Sequence, residues 1–120
     1  MERFDDNTPI YLQIAESIRE GILTCELGEE ERIMSINEYA TTYRINPATA
    51  NKAMALLVDE GLIYKQRGIG MFVAEGARER LVTSLRATFF EDEVARLVKR
   101  AELLGISAEE LATRIAERSR

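Results

Sequence analysis

The run Ser35-Ile36-Asn37-Glu38 is a capping box, in which a serine oxygen takes a first-turn amide while the glutamate reaches back to the serine's own. A second helix start follows at Asn46-Pro47, a cap residue ahead of a proline that the first helical position accepts. Between these two signals a helix can run only to about Tyr43, and Arg44 and Ile45 are left to connect it to the next. So short a link fits the tight turn of a helix-turn-helix, and the rest of the chain has to be read around that motif.

Upstream, Thr8-Pro9 reads as cap and first helical residue, and Tyr11, Ile14, Ile18 and Ile22 recur at helical spacing as far as about Thr24. Leu27-Gly28 and the acids Glu29, Glu30 and Glu31 read as a loop. Downstream, Ala50, Ala53, Met54 and Leu57 form the apolar stripe of a third helix that Gly61 closes. The period then changes. Leu62 to Lys65 and Met71 to Val73 are short β-favouring runs flanking Gln66-Arg67-Gly68-Ile69-Gly70, the pattern of a hairpin with a glycine-bearing loop. Three helices and a hairpin predict a mainly α fold with a small β-hairpin, a winged helix-turn-helix spanning residues 1–76.

From Ala77 the helical signals return, at Leu81, Leu85 and Phe89 and then at Phe90, Val94, Leu97, Val98, Ala101 and Leu104. The phase slips between Phe89 and Phe90, which suits two helices or one bent helix. Gly105 ends the run, and Ser107-Ala108-Glu109-Glu110 caps a last helix carrying Leu111 and Ile115. Residues 77–120 are too few to bury such a stripe alone. A helical dimerisation segment is expected, using the nine residues from Leu81 to Leu104 just named; the competing arrangement folds the same helices back on the winged domain.

Composition narrows the function. A chain of 120 residues suits one or two small units and leaves little room for a large active-site cavity. The polar start from Met1 to Thr8 and the shortness of the apolar runs predict no secretory signal and no membrane span, so a cytoplasmic place is expected. Histidine is absent and Cys25 is the only cysteine, which removes the commonest general base, any internal disulfide and most metal-ligand sets. No catalytic constellation, metal site or cofactor is expected. Cys25, next to Glu26 and without a basic neighbour in sequence, is expected to be a buried or partly buried small residue and not a redox sensor.

The net charge of −5 speaks against a nucleic-acid partner until its distribution is considered. Residues 1–30 hold eight acids and two bases, whereas residues 32–73 hold three acids and five bases. With its stripe turned inward, the third helix presents Ala48, Lys52, Ala55 and Asp59 outward, flanked by Thr49 and Asn51. Its first two turns are small and hydrogen-bonding, and acids arrive only at Asp59 and Glu60. This is the form of a helix that enters a major groove by its N-terminal end. Asn51 suits adenine, Lys52 suits guanine or a phosphate, Thr49 a base or a phosphate, and Ala48 permits close approach. On the hairpin, Lys65 and Arg67 supply charge, while Gly68 and Gly70 serve the turn and let the backbone near a minor groove. Cap chemistry alone also explains Asn46-Pro47-Ala48-Thr49, and a winged-helix module for protein partners would suit the acidic total while leaving Lys52 and Arg67 idle.

The stretches PIYLQIAESIREGILTCEL (residues 9–27), RIMSINEYATTYRINPATANKAM (32–54) and EGLIYKQRGIGMFVA (60–74) resemble the GntR family of winged-helix transcription regulators. The Ser35 cap, the glycines Gly68 and Gly70 and the Phe72-Val73 ending fall in the order and spacing of that family, and the short helical tail looks like its YtrA-like branch. The resemblance implies a homodimeric regulator, usually a repressor, that binds a double-stranded DNA operator and is commonly linked to membrane-transporter genes. It implies DNA contacts at Ser35, Asn46, Ala48, Thr49, Asn51, Lys52, Arg67, Gly68 and Ile69. Asn37 replaces a basic contact of relatives, Asn51 stands where many carry arginine, and Ile69 holds a wing tip that is often basic. The chain has no room for the separate ligand domain of larger relatives. A small apolar effector would have to sit in a crevice between two tails, at Phe89 or Phe90.

Overall fold

The computed structural model describes residues 7–120, so most of the polar start read from Met1 to Thr8 lies outside the described residues. The chain divides into two compact units, residues 1–82 and 83–120, each considered by itself.

In the first unit, α1 (Ile10–Leu23), α2 (Ile36–Tyr43) and α3 (Pro47–Asp59) surround a core closed by three short strands, β1 (Arg32–Ile33), β2 (Ile63–Gln66) and β3 (Gly70–Val73). Ile14, Ile18 and Ile22 of α1 meet Ala50, Ala53, Met54 and Leu57 of α3, all essentially inaccessible to water. Burying a large apolar side chain is worth about 1.5–3 kcal/mol, against about 1 kcal/mol for a helix cap, so the stripe holds α3 in place and the cap fixes where it starts. A bidentate ion pair reinforces the far end, with Arg19 Nη2 and Nε donating to Glu60 Oε2 and Oε1 at 2.6 and 2.9 Å.

The capping box at Ser35 forms as expected, and Asn46 caps α3 with Pro47 in its first turn. The N-cap of α1 falls at Pro9, one residue after the expected Thr8. Pro9 makes no side-chain bond there, and the Thr8 carbonyl accepts from Gln13 Nε2 at 2.7 Å. Cys25 is exposed, with a positive φ of 64°, because the chain must reverse sharply there after α1; the expected burial is corrected.

The sheet holds more than a hairpin. β3 is its middle strand, paired antiparallel with β2 on one side and β1 on the other, in the register Ile33 to Met71, Arg32 to Phe72 and Ile63 to Val73. Ile33, Met71, Ile63 and Val73 face the core. Arg32, Phe72 and Tyr64 share the other face, where the Tyr64 and Phe72 rings stack at 5.7 Å. The Tyr64 hydroxyl donates to Glu30 Oε2 at 2.8 Å, a bond that raises the pKa of that hydroxyl.

The boundary drawn at residue 76 moves into α4 (Ala77–Thr88), because Ala77 and Leu81 are buried in the winged core. Leu81 therefore does not belong to an exposed tail face. In the second unit a π-helical turn, Phe89–Val94, leads into α5 (Ala95–Leu103), and Ser107 caps α6 (Ala108–Arg118). The wider turn absorbs the phase slip at Phe89-Phe90, which makes one continuous helix with a local bulge out of what read as two helices or a bend. Among the described residues no helix is long and apolar enough to cross a membrane.

Candidate nucleic-acid interface

Local chemistry sets the turn between α2 and α3. Arg44 takes the left-handed conformation at φ 53° and ends α2, and the Ile45 N–H folds back on the Ala40 carbonyl at 3.0 Å. Asn46 Oδ1 then accepts from the Ala48 N–H at 2.8 Å, which spends the acceptor of the side chain and leaves its amide nitrogen as a donor. Ser35 Oγ likewise accepts from the Glu38 N–H at 3.1 Å, while its own hydroxyl favours the charged Glu38 carboxyl.

The outward edge of α3 is as the helical period predicts. Ala48, Asn51, Lys52 and Ala55 are exposed, Thr49 is half-buried beside them, and Asn37 is exposed on α2. The repulsive acids lie at the far end, where Arg19 pairs Glu60. Lys52 is not loose. Its Nζ stands 4.2 Å from the centre of the Tyr11 ring on α1, a cation–π contact.

The wing tip is a tight turn closed by the Ile69 N–H on the Gln66 carbonyl at 2.9 Å, with Gly68 at φ +79° where such a turn favours glycine. Lys65, Arg67, Gly68 and Ile69 are exposed, and Gly70 is half-buried. Sequence reading missed the residue beneath them. Arg32 Nε donates to the Ile69 carbonyl at 3.4 Å and its Nη2 to Glu38 Oε1 at 3.1 Å, while the same Glu38 oxygen accepts the Ser35 N–H at 3.0 Å. One guanidinium thus joins the wing tip to the N-terminus of α2. Gly70 leaves the space it needs, since a Cβ there would stand 2.9 Å from Arg32 Nε. No local pattern announces this brace, because it exists only once β1 pairs with β3. The Ser35 backbone, then its hydroxyl, then Arg32 hold the Glu38 carboxyl below its ordinary range.

Residues 10–73, which contain every element of this face, match the family model described as bacterial regulatory proteins, gntR family. The chain belongs to the gntR family. It is accordingly a DNA-binding transcription regulator, and its similarities point to the YtrA-like branch of the gntR family. It is 33% identical over 111 residues to the HTH-type transcriptional repressor YtrA of Bacillus subtilis (strain 168), covering 92% of this chain and 85% of that one. The structure of YtrA from Sulfolobus acidocaldarius, a GntR-family transcription factor, superposes with a TM-score of 0.60 at 32% identity over 99% of this chain and 95% of that one. A DNA-binding domain of AraR in complex with operator ORX1 superposes with a TM-score of 0.56 at 30% identity, over 60% of this chain and 93% of that domain.

In the second unit, Leu85, Phe89, Phe90, Leu97, Val98 and Leu104 are exposed and Val94 is half-buried. Ala101 is buried within the single chain, so it is corrected from an exposed surface contact. Ile115 of the last helix is exposed too, and Leu103, 79% exposed, joins the apolar surface unforeseen. The Phe89 and Phe90 rings meet edge to face at 5.4 Å.

Proposed function

We propose that this regulator is a repressor that works in the cytoplasm as a homodimer on a two-fold operator, reading each half-site with the first two turns of α3 and the tip of the wing. The observation that carries the reading is the outward edge of α3, where Ala48, Asn51 and Lys52 are exposed and no acid appears before Asp59. The contact set is Ser35, Asn37, Asn46, Ala48, Thr49, Asn51 and Lys52 from the two helices, with Lys65, Arg67, Gly68, Ile69 and Gly70 from the wing. Repression is supported by the name of the Bacillus subtilis relative, and the operator-bound AraR domain supports duplex DNA as the partner.

The exposed apolar residues of the second unit, Leu85, Phe89, Phe90, Leu97, Val98 and Leu104, support a second copy as their cover. Half-sites would then lie about 10 base pairs apart, centre to centre. The edge-to-face phenylalanines are the place for a small apolar effector, and transporter genes are the regulated class that the branch suggests.

The test is fluorescence anisotropy with the duplex upstream of the protein's own gene against a scrambled duplex of equal length, at two salt concentrations. Tight binding to the native duplex that weakens steeply with salt is expected. Equal, weak binding to both, repeated with duplexes selected from a random library, would overturn the reading. Lys52→Ala should weaken binding to the preferred duplex by roughly 1–3 kcal/mol, the worth of a base contact.

A further inference from the structure

We propose that Tyr11 is a positioning residue for DNA reading, its ring holding the Lys52 ammonium at the point where α3 meets the duplex. The proposal rests on Lys52 being a DNA contact. A lysine ammonium is a compact charge on a flexible stem, and at an open helix surface its position is spread over many rotamers. Here Nζ stands 4.2 Å from the Tyr11 ring centre, well within the range in which an aromatic face attracts a cation. The two partners differ in how firmly they are fixed. Tyr11, in the first turn of α1, is half-buried and packed against the winged core, whereas Lys52 is exposed.

The spacing between them is fixed by the packing of α1 on α3. Ile14 and Ile18 share one buried cluster with Ala50, Ala53 and Met54, α1 packs on α3, and the Arg19–Glu60 pair clamps the other end of the same two helices. A ring face attracts the ammonium without neutralising it, so the charge and the N–H donors that point away from the ring stay available to an acceptor on the duplex. An acid at the same place would have bound Lys52 at the expense of the phosphates. With the lysine already ordered, binding DNA costs less rotamer freedom.

The experiment uses the full chain and the duplex most enriched by wild-type protein from a random-sequence library. Tyr11→Phe, which keeps the ring face, should bind as wild type. Tyr11→Leu should bind about two- to five-fold more weakly, the worth of an exposed cation–π contact. In a Lys52→Ala background, Tyr11→Leu should cause no further loss. An equal loss in both backgrounds would show a purely structural role and overturn the proposal. Wild-type or tighter binding by Tyr11→Leu, alongside a loss in Lys52→Ala, would overturn it while leaving Lys52 at the interface. No loss in Lys52→Ala would remove both residues from the interface, and failure to enrich any duplex would refute the DNA-reading face itself. A readout independent of stability is the proton spectrum of the free protein. The Lys52 ε-methylene signals should lie upfield of their position in Tyr11→Leu, and identical shifts would overturn the contact.

Discussion

Two glycines separated by one residue carry different burdens at the wing tip. Gly68 sits at φ +79° with open space around its missing Cβ, so Gly68→Ala should cost about 1–2 kcal/mol, the backbone penalty alone. Gly70, at φ +145°, adds a clash with Arg32 Nε. Gly70→Ala should cost more than Gly68→Ala, about 3 kcal/mol in urea denaturation, because φ +145° lies in a region nearly restricted to glycine, and the new Cβ should also displace the flexible end of Arg32 from Ile69. Equal costs would mean that the wing tip relaxes out of this backbone conformation. The outward residues of α3 were legible in the sequence because a helix fixes side-chain direction by period, which puts Asn51 and Lys52 outside once Ala50, Ala53 and Met54 are inside. Arg32 and Tyr11 were not, since each meets its partner through tertiary packing, across 37 residues in the case of Arg32 and Ile69.

Among the elements, α2 depends most on its first residues. It has only eight residues, so the reciprocal bonds of Ser35 and Glu38 matter more to it than a cap does to a long helix. Ser35→Ala should lower stability by about 1 kcal/mol. The folded state depresses the Glu38 pKa, so its contribution is complete above the ordinary carboxyl value of 4.5 and fades as pH falls through the lower folded value. In denaturation experiments the deficit of Glu38→Gln relative to wild type should be present at neutral pH and shrink toward zero under acid conditions; a deficit independent of pH would exclude the charge as its source. Both helix starts of the central motif could be read directly, because capping is local chemistry. β1 could not, since a two-residue strand has no period of its own and exists only because β3 offers a free edge. The π-helical turn was visible only as a slip in phase, because an apolar pattern records which residues face inward and not how the backbone accommodates an extra one.

For the whole molecule, the acidic total and the less acidic reading face have opposite effects. A net charge of −5 disfavours idle binding to bulk DNA, which leaves discrimination to the few groups along α3 and the wing. Two reading heads per particle would double those contacts, which is why the proposed pairing of the second unit matters. Phe90→Ser, at a side chain 60% exposed in the single chain, should give a folded monomer by sedimentation with sharply reduced operator affinity. A Phe90→Ser protein that remains a dimer would move the interface elsewhere on the unit. The return of helical structure at Ala77 was legible from the periodicity, but where the first compact unit ends was not. Whether Leu81 serves the core or the tail depends on what lies opposite it, and the sequence pattern is the same in both cases.

The position of β3 has a further consequence, for the order in which the protein is made. β1 is synthesised before α2 and α3, yet its partner Met71-Phe72 follows both, so that pairing closes a loop containing the whole helix-turn-helix. A nascent chain that has not yet passed Val73 lacks the strand that completes this core. The reading head should then assemble in one cooperative step late in translation, and a ribosome that stalls before the wing would release a fragment unable to compete with the finished regulator for DNA.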